Sequence, residues 1–402
     1  MGNVVIWGAG KYCEVVVRAI RKENCKLIGI VDSDKTRQGT IYMNKWIIDR
    51  PEVLIDEHVD YIVISVQQSV QIIRQCKKMK IEEHRIIEFW KSSEDYDFID
   101  NNVKKIYELE MEVKRCYQRI NNMPYELGLK QIPHIGTAVQ LLEILLKDKK
   151  SLCRFGDGEL ELMQCRERPW FQKVDEKLAK RLMEIFQSEN RNVIIALADI
   201  YGSLERYTEV AADEIRRYLD NGIREKLIEM IDFNRKYYDT YVTRPYLIYR
   251  DKKYAVQIFS LFRKVWENRN VLIVEGKYAY NGVRNNLFNN TASISRIIAP
   301  PKDAFSFYDE ILVKVCQFVH KDMLILISLG PTATVLAYDL AMKGFQALDI
   351  GQLDNEYEWY LRGAESQIEI PGKCVAELRD CRVPDEIADP VYESQIITRI
   401  GI

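Results

Sequence analysis

Residues 151–160, Ser-Leu-Cys-Arg-Phe-Gly-Asp-Gly-Glu-Leu, join an apolar run to a tight turn, after which a second apolar pattern begins. This order predicts a β-strand, a turn and the start of a helix. Gly156 and Gly158 relax the backbone of the turn, and Asp157 and Glu159 place two carboxylates one residue apart. Mg²⁺ and Mn²⁺ take such oxygen ligands beside a substrate phosphate. The stretch alone also fits an ordinary solvated Asp-Gly turn.

Strands and helices alternate on both sides of this stretch. We predict strands at 151–155, 192–198, 271–274, 293–299, 323–329 and 347–350, and helices at 137–147, 175–187, 207–232, 254–267, 304–320 and 332–343. Such alternation predicts an α/β fold with a mostly parallel sheet and helices on both faces. Doubly wound sheets bind ligands at the carboxyl ends of their strands. The turn at 156–159 is therefore expected at the edge of a binding crevice.

Four further polar or glycine-rich turns follow predicted strands, at 275–285, 300–304, 328–334 and 349–356. Gly330, Pro331 and Thr332 have the chemistry of a helix start that faces a phosphate, and they also fit a simple helix cap. Lys277 and Arg284 could neutralise a diphosphate, or they could be ordinary surface cations.

An acidic group ends the last of these turns. Asp354, Glu356 and Glu358 could supply a general base or a metal ligand, and they also fit a solvated acidic loop. The segment 243–246 is a further candidate for one wall of the substrate site.

The N-terminal 90 residues form a separate α/β pattern. A predicted strand at 3–7 runs into Gly8-Ala9-Gly10, a helix follows, and a second strand ends at Asp32. Gly8, Gly10 and Asp32 match the opening of a nucleotide-binding βαβ unit, in which the acid binds a ribose. Cys13 stands where the fingerprint has its third glycine. The alternative is a structural or docking module with an empty crevice.

We predict three segments: a small Rossmann-like domain at 1–95, a linker with an amphipathic helix at 96–130, and a second domain at 131–402. The helix carries Ile106, Leu109, Val113, Cys116 and Ile120 at spacings of three and four,. We expect this stripe to pack between the domains, and self-association through a coiled coil is the alternative. The run 121–124 should end the helix.

Composition limits the function classes. The chain has 402 residues, and 58 lysines and arginines stand against 60 acids, which gives a net charge of −2. Nucleic acid is therefore not an expected partner. The nine cysteines include no C-x-x-C pair and predict reduced thiols,. The four isolated histidines do not predict a zinc site, and the absence of a signal sequence or a long apolar run predicts a cytoplasmic protein without a transmembrane segment.

Six motifs, in this order, resemble the GT-D-type glycosyltransferases, a family once catalogued as a domain of unknown function. They are Arg-Phe-Gly-Asp-Gly-Glu at 154–159, Thr-Arg-Pro-Tyr at 243–246, Val-Glu-Gly-Lys at 274–277, Ala-Pro-Pro-Lys-Asp-Ala at 299–304, Leu-Gly-Pro-Thr-Ala at 329–333 and Asp-Ile-Gly-Gln-Leu-Asp-Asn-Glu-Tyr-Glu-Trp at 349–359. The resemblance covers about 132–402. One departure is Gln352, where many members are expected to carry histidine.

The resemblance implies a Rossmann-like GT-D domain that uses Mn²⁺ or Mg²⁺. It implies that Asp157 and Glu159 form the D-x-E pair that joins the metal to the diphosphate of a UDP-sugar. The expected donor-binding residues are Arg154, Phe155, Gly156, Arg244, Lys277, Asn281, Arg284, Pro301, Asp303, Gly330, Pro331, Thr332 and Asp349.

We expect transfer of a hexose, with glucose favoured, to a hydroxyl of a glycan or glycoprotein acceptor in bacterial surface glycan synthesis. Asp354 or Glu356 is the expected base, and a partner glycosyltransferase or a homo-oligomer is a possible assembly. The alternatives are an NAD-dependent sugar-nucleotide oxidoreductase or epimerase that uses the Gly-Ala-Gly turn, and a non-catalytic docking protein.

Overall fold

The computed structural model describes residues 2–55, 58–166, 172–375 and 387–402. The chain forms two compact units, Met1–Tyr117 and Gln118–Ile402. The predicted boundaries at 95 and 131 lie on either side of this division. Among the described residues, none of the helices is long and apolar enough to cross a bilayer.

The first unit is a small α/β sandwich. Its elements are β1 (Gly2–Trp7), α1 (Cys13–Ala19), β2 (Cys25–Val31), β3 (Ile41–Tyr42), β4 (Trp46–Asp49), β5 (Tyr61–Ile64), α2 (Val70–Lys78) and β6 (Ile86–Glu88). Within its described residues the strand order is β3-β4-β2-β1-β5-β6, and the pairings are parallel except between β3 and β4. The sequence did not predict the β3–β4 hairpin, which reverses at Met43 and Asn44, both with positive φ. A short 3-10 helix at Pro51–Ile55 precedes β5.

Helix α3 (Asn101–Glu126) runs from the first unit into the second. The prediction that 121–124 ends this helix is wrong, because Pro124 lies inside it. Proline has a φ close to the helical value, so the helix can continue through Pro124 near its end, although proline has no backbone N–H and one helical hydrogen bond is lost. The apolar side chains of the stripe are exposed rather than buried, contrary to the expected packing.

The second unit alternates strands and helices around one large sheet. Its elements are β7 (His134–Gly136), α4 (Ala138–Asp148), β8 (Ser151–Phe155), α5 (Asp157–Met163), α6 (Glu176–Phe186), β9 (Val193–Leu197), α7 (Glu209–Tyr218), α8 (Ile223–Met230), β10 (Lys236–Asp239), α9 (Lys252–Val265), β11 (Asn270–Gly276), β12 (Ser293–Ala299), α10 (Tyr308–Phe318), β13 (Leu324–Ser328), α11 (Pro331–Met342), β14 (Gln346–Asp349), α12 (Leu353–Leu361), α13 (Pro390–Gln395) and β15 (Ile396–Arg399).

Among the described residues, nine strands make this sheet in the order β15-β12-β11-β13-β14-β8-β9-β10-β7, and every pairing is parallel. The α/β prediction with a mostly parallel sheet is confirmed. From β8 the chain continues through β9 to β10 on one side, whereas β11 to β14 lie on the other. The strand order therefore switches beside β8 and β14, where a doubly wound sheet opens a crevice.

The central strands are buried on both faces, as expected for a parallel sheet covered by helices. Leu324, Ile325, Leu326 and Ile327 of β13 are fully buried. Helix α11 is buried along most of its length because it is rich in alanine and threonine, and these small side chains let it lie close to β8 and β14. The two strands that carry the central turns are thus packed directly against a buried helix.

Several predicted elements need correction. The sequence missed β7, β10 and β15, which are only three or four residues long. The single helix predicted at 207–232 is two helices, α7 and α8, because Asn221 and Gly222 adopt positive φ between them. The acidic run after β14 is helix α12 rather than a loop.

Candidate active site

A crevice of about 870 Å³ lies at the carboxyl ends of the strands in the second unit. Its walls come from the turns after β8, β9, β10, β11, β12, β13 and β14, and from five residues of helix α7 that include Glu214 and Arg217. The five turns singled out from the sequence all contribute lining residues. They are joined by Ala198 and Ile200 after β9, by Thr240 and Tyr241 after β10, and by Gln172.

Eleven of the predicted site residues line this crevice. They are Arg154, Gly156, Asp157, Glu159, Arg244, Lys277, Asn281, Pro301, Asp303, Gly330 and Pro331. The other predicted residues of this unit do not line it, and they are Phe155, Arg284, Thr332, Asp349, Asp354 and Glu356.

Arg154 and Asp349 join the two strands at the switch point. Arg154 Nη2 lies 2.9 Å from Asp349 Oδ1, and Arg154 Nε donates to the Asp349 carbonyl oxygen at 3.1 Å. Arg154 Nη1 donates to Thr243 Oγ1 at 2.7 Å. Burial raises the pKa of the Asp349 carboxyl, and the Arg154 guanidinium opposes that rise. Asp349 therefore acts behind the crevice wall by fixing Arg154.

Helix α5 begins directly after β8 and carries the two carboxylates of the D-x-E pattern in its first turn. Asp157 and Glu159 both line the crevice. Glu159 Oε2 accepts the Gly156 backbone N–H at 2.9 Å, so one of its oxygens also holds the start of the helix. Carboxylates are stabilised at a helix N-terminus.

Burial raises the pKa of Glu159 to about 6; Asp349 adds to the rise and Arg154 opposes it. Glu159 and Asp349 thus share the Arg154 guanidinium as a neighbouring positive charge.

Two carboxylates and the phosphates of a substrate are a normal ligand set for Mg²⁺. Among the residues that the structure describes, no group of three or more histidine, cysteine, aspartate or glutamate side chains is arranged to hold a metal ion. Asp157 and Glu159 could therefore hold a metal only as part of a ligand set that substrate oxygens complete.

The turn after β11 supplies Lys277 and Asn281 to the crevice. Asn281 is held by Glu275, whose Oε2 accepts from the Asn281 backbone N–H at 2.8 Å and from its side-chain amide at 2.7 Å. Glu275 is fully buried and pairs with Arg296 at 2.5 Å. This turn is therefore built on a buried ion pair.

Arg284, in the same turn, is exposed and lies outside the lining residues. Its predicted role in binding a diphosphate is not supported by this position. Phe155 is fully buried in the core against Phe186, and its contribution is to packing rather than to donor contact.

The next two turns present backbone and carboxylate groups. Asp303 lines the crevice with its side chain about one-third exposed, and its Oδ1 accepts the Lys173 backbone N–H at 2.7 Å. Gly330 and Pro331 line the crevice at the start of α11. Thr332 is fully buried, with its Oγ1 3.5 Å from Gln172 Oε1. Thr332 thus acts inside the wall.

Asp354 and Glu356 are buried and bonded within the protein, which does not support their predicted role as the base. Asp354 Oδ1 accepts from the Gly282 backbone N–H and from Asn285 Nδ2, both at 2.8 Å, and its Oδ2 pairs with Lys373 at 2.5 Å. Glu356 Oε2 accepts the backbone N–H groups of Tyr246 and Leu247 at 2.9 and 3.1 Å. These carboxylates hold the turns that surround the crevice.

Two buried polar atoms in residues that line the crevice have no hydrogen-bond partner among the described residues. Thr240 Oγ1 and Gln352 Oε1 are buried and accept no hydrogen bond from any described residue. A buried polar atom without a partner costs free energy. Thr240 was not predicted from the sequence, because the short strand before it carries no clear alternating pattern.

Cys374 also lines the crevice. The seven other described cysteines are free.

In the first unit, the Gly8-Ala9-Gly10 turn binds the protein's own side chains. Asp32 Oδ2 accepts the Ala9 N–H at 2.7 Å, Arg37 Nη1 donates to the Ala9 carbonyl at 2.9 Å, and Tyr42 Oη donates to the Gly10 carbonyl at 3.2 Å. A side chain at Gly8 would place Cβ 2.6 Å from Ser65 Oγ. These contacts account for the turn by packing, and nucleotide binding at Gly8, Gly10 and Asp32 remains a prediction.

Comparison with known proteins places both units. Residues 152–378 match the family described as "Glycosyltransferase GT-D fold", and residues 1–87 match that described as "C2185-like, N-terminal". The chain is 37% identical over 266 residues to "Probable glycosyl transferase Gly" of Streptococcus gordonii and 35% identical over 268 residues to "Glycosyltransferase GlyD" of Streptococcus pneumoniae. Each match covers 65% of this chain but only 38% and 32% of those relatives.

Solved structures give the same result. One, titled "The highly conserved domain of unknown function 1792 has a distinct glycosyltransferase fold", has a TM-score of 0.65 and 34% identity and covers 71% of this chain and all of its own. Another, "A New Glycosyltransferase (DUF1792) from Streptococcus sanguinis", has a TM-score of 0.62 and 35% identity and covers 67% and 100%. The chain therefore belongs to the glycosyltransferase family of the GT-D fold.

Proposed function

We propose that the second unit binds a UDP-sugar, with UDP-glucose as the favoured donor, and transfers its hexose to a hydroxyl of a glycan or glycoprotein acceptor of the bacterial surface. The observation that carries this proposal is that Asp157 and Glu159 lie in the first turn of helix α5 and line the crevice at the switch point of the sheet. Membership of the glycosyltransferase family supports the reaction class.

The donor diphosphate is proposed to lie against α5, with Asp157 and Glu159 holding Mn²⁺ or Mg²⁺. When bound, such a cation would neutralise charge on the departing diphosphate. Arg244 and Lys277 line the same crevice and would bind phosphate oxygens directly. Arg154, fixed by Asp349, would set the position of the turn from which α5 starts.

The acceptor hydroxyl needs a base, and Asp303 replaces Asp354 and Glu356 as our candidate. Asp157 and Glu159 are committed to the metal in this scheme, whereas Asp303 presents a partly exposed carboxylate on the turn after β12. It would accept the acceptor proton as the hydroxyl attacks the anomeric carbon. Thr240 and Gln352 would bind sugar hydroxyls with their unpartnered oxygens.

The test is release of UDP from a panel of UDP-sugars in the presence of Mn²⁺, Mg²⁺ or a chelator. We expect turnover that requires the metal and is lost in Asp157→Asn and Glu159→Gln. Glu161→Gln is the matched control, because Glu161 lies in the same helix outside the crevice lining. Turnover that persists in both D-x-E variants would reject the metal assignment, and binding of no UDP-sugar would reject the donor class.

A further inference from the structure

Helix α3 carries an apolar stripe that follows a heptad pattern. Its members recur at spacings of three, four, three, four and three residues, which places them at alternating a and d positions. They are Ile106, Leu109, Val113, Cys116, Ile120 and Met123. We call this set the α3 stripe.

The α3 stripe is exposed. Its five large apolar members have between 49% and 58% of their surface exposed, and Cys116 is exposed as well. Together they present on the order of 500 Å² of apolar surface, which is at the upper end of single patches on monomeric proteins. Because the stripe lies on one continuous helix, its geometry follows from helix periodicity.

The two fully buried residues of the same helix are polar. Gln118 donates to Asp220 at 3.3 Å, and Asn122 bonds to the Arg224 guanidinium.

The helix already has an inward apolar face near its start, where Val103 packs on the core of the first unit and Tyr107 contacts Trp90. The α3 stripe is a second apolar face, and it stays exposed among the described residues. A surface helix normally exposes its polar face, so an exposed second apolar face suits a partner outside this chain.

We propose that the α3 stripe pairs with the α3 stripe of a second copy of this chain, as an antiparallel two-stranded coiled coil. In that arrangement the six positions form closed layers: Ile106 faces the partner's Met123, Leu109 faces the partner's Ile120, and Val113 faces the partner's Cys116. The stripe is self-complementary because it is symmetric about its own centre.

The charges beside the stripe choose the orientation. The g positions carry Lys105, Glu112, Arg119 and Glu126 in alternating sign. An antiparallel pair brings g positions together, so that Glu112 meets the partner's Arg119. Lys105 approaches the partner's Glu126, which also pairs with Arg216 of its own chain at 3.0 Å. Each contact forms twice in a symmetric dimer, and such pairs set partner choice and orientation.

A parallel pair gains less from the same residues. It would bring g against e, which gives Lys105 with the partner's Glu110 but sets Glu112 against Tyr117 and Arg119 against Pro124. Glu112 and Arg119 are both exposed, and the Arg119 guanidinium, 3.2 Å from Asp213, keeps 49% of its side chain exposed. Of the two ion pairs expected across an antiparallel dimer, the pair between Glu112 and the partner's Arg119 therefore has the more exposed side chains.

The first test is the mass of the full-length chain in solution, measured by sedimentation over a hundredfold range of concentration. We expect a dimer whose fraction rises with concentration and falls at least tenfold in Leu109→Glu and Ile120→Glu. Lys114→Glu, at an exposed position outside the stripe, should leave dimerisation unchanged. Both stripe variants replace exposed side chains with a good helix former. Their thermal unfolding midpoints should therefore match that of the wild type at concentrations low enough for the wild type to be a monomer. A wild-type monomer at every concentration would overturn the proposal.

The second test is disulfide cross-linking in a Cys116→Ser background. The Ile106→Cys and Met123→Cys proteins are oxidised alone and as a mixture, and the linked peptides are identified by mass spectrometry. An antiparallel pair predicts a 106–123 link in the mixture only, since two copies of residue 106 would lie about 25 Å apart along the helix. Links from 106 to 106 and from 123 to 123 would instead show a parallel pair and overturn the orientation.

Discussion

Arg154 and Asp349 are 195 residues apart in the sequence and form an ion pair of 2.9 Å between the ends of two neighbouring strands. Arg154 lines the same crevice as Asp157 and Glu159, and Asp349 holds Arg154 from behind the crevice wall. The proposed function depends on this ion pair, because it positions the turn that carries both carboxylates.

Gly351→Ala should lower activity by displacing Arg154. A Cβ at this position would lie 2.1 Å from Arg154 Nη2, and Gly351 has a φ of +47°. Gly344→Ala is the matched control, because Gly344 also has a positive φ but has nothing within 4 Å of the added Cβ. Both variants should lose about 1–2 kcal/mol of stability from the left-handed conformation, and Gly351→Ala should lose more because the buried Asp349 is left without Arg154. Only Gly351→Ala should also lose kcat/KM for UDP-sugar turnover, and equal activity in the two variants would contradict this role.

Metal affinity should fall as the pH drops through about 6, where the raised pKa of Glu159 lies. Protons and a cation compete for the same carboxylate. The folded-state pKa lies above its ordinary value of 4.5, so the stability linked to this group is fully present below pH 4.5 and is lost as the pH rises through 6.

The measurement is Mn²⁺ binding and urea unfolding at pH 5 and pH 7.5. In metal-free protein, Glu159→Gln should remove a destabilisation of up to about 2 kcal/mol that the wild type shows at pH 7.5. Wild-type metal affinity that stays constant across this range would contradict the assignment of Glu159.

Asp303→Asn should lower kcat by a factor of about 100–10,000 if Asp303 is the base. The Asn oxygen can still accept the Lys173 N–H, and Asn tolerates the left-handed φ of +53° at this position,, so the fold should persist. Asp309→Asn is the control, since Asp309 is exposed in the first turn of α10. The measurement is kcat and the KM for the donor in each variant. A normal kcat in Asp303→Asn would show that Asp303 is not the base.

Lys373→Met should destabilise the second unit by about 3–5 kcal/mol, because removal of one partner leaves buried charges uncompensated. Lys373 Nζ lies 2.5 Å from Asp354 and 3.2 Å from Glu358, and all three residues are buried. Urea unfolding against the exposed Lys321→Met control measures this loss. An equal stability of the two variants would show that Asp354 and Glu358 are not held in this way, and would reopen a catalytic role for Asp354.

The sequence revealed much of the crevice because its turns combine a strand end with glycine, proline and charge. Gly330-Pro331 and Asp157-Gly158 are local signals of this kind, and both line the crevice. The pair between Arg154 and Asp349 had no such signal, because it joins residues from distant parts of the chain.

Asp354 and Glu356 were misinterpreted for a related reason. A run of acidic residues in a sequence indicates a solvated or a catalytic loop. In the structure the run forms helix α12, where Asp354 pairs with Lys373 and Glu356 accepts from the backbone at 246–247. No local sequence pattern indicates these distant contacts. The short strand β10 was missed because Lys-Tyr-Tyr-Asp has no alternating pattern of sufficient length, and Thr240 was missed with it.

The effect of Mn²⁺ on the affinity for UDP, measured by titration calorimetry, tests the central claim most directly. If Asp157 and Glu159 join a cation to the donor diphosphate, wild-type protein and Glu161→Gln should bind UDP at least tenfold more tightly with Mn²⁺ than with a chelator. The Asp157→Asn/Glu159→Gln double variant should lose this gain while its unfolding transition stays cooperative. An equal UDP affinity with and without Mn²⁺ in the wild type, or a gain that survives in the double variant, would contradict the account.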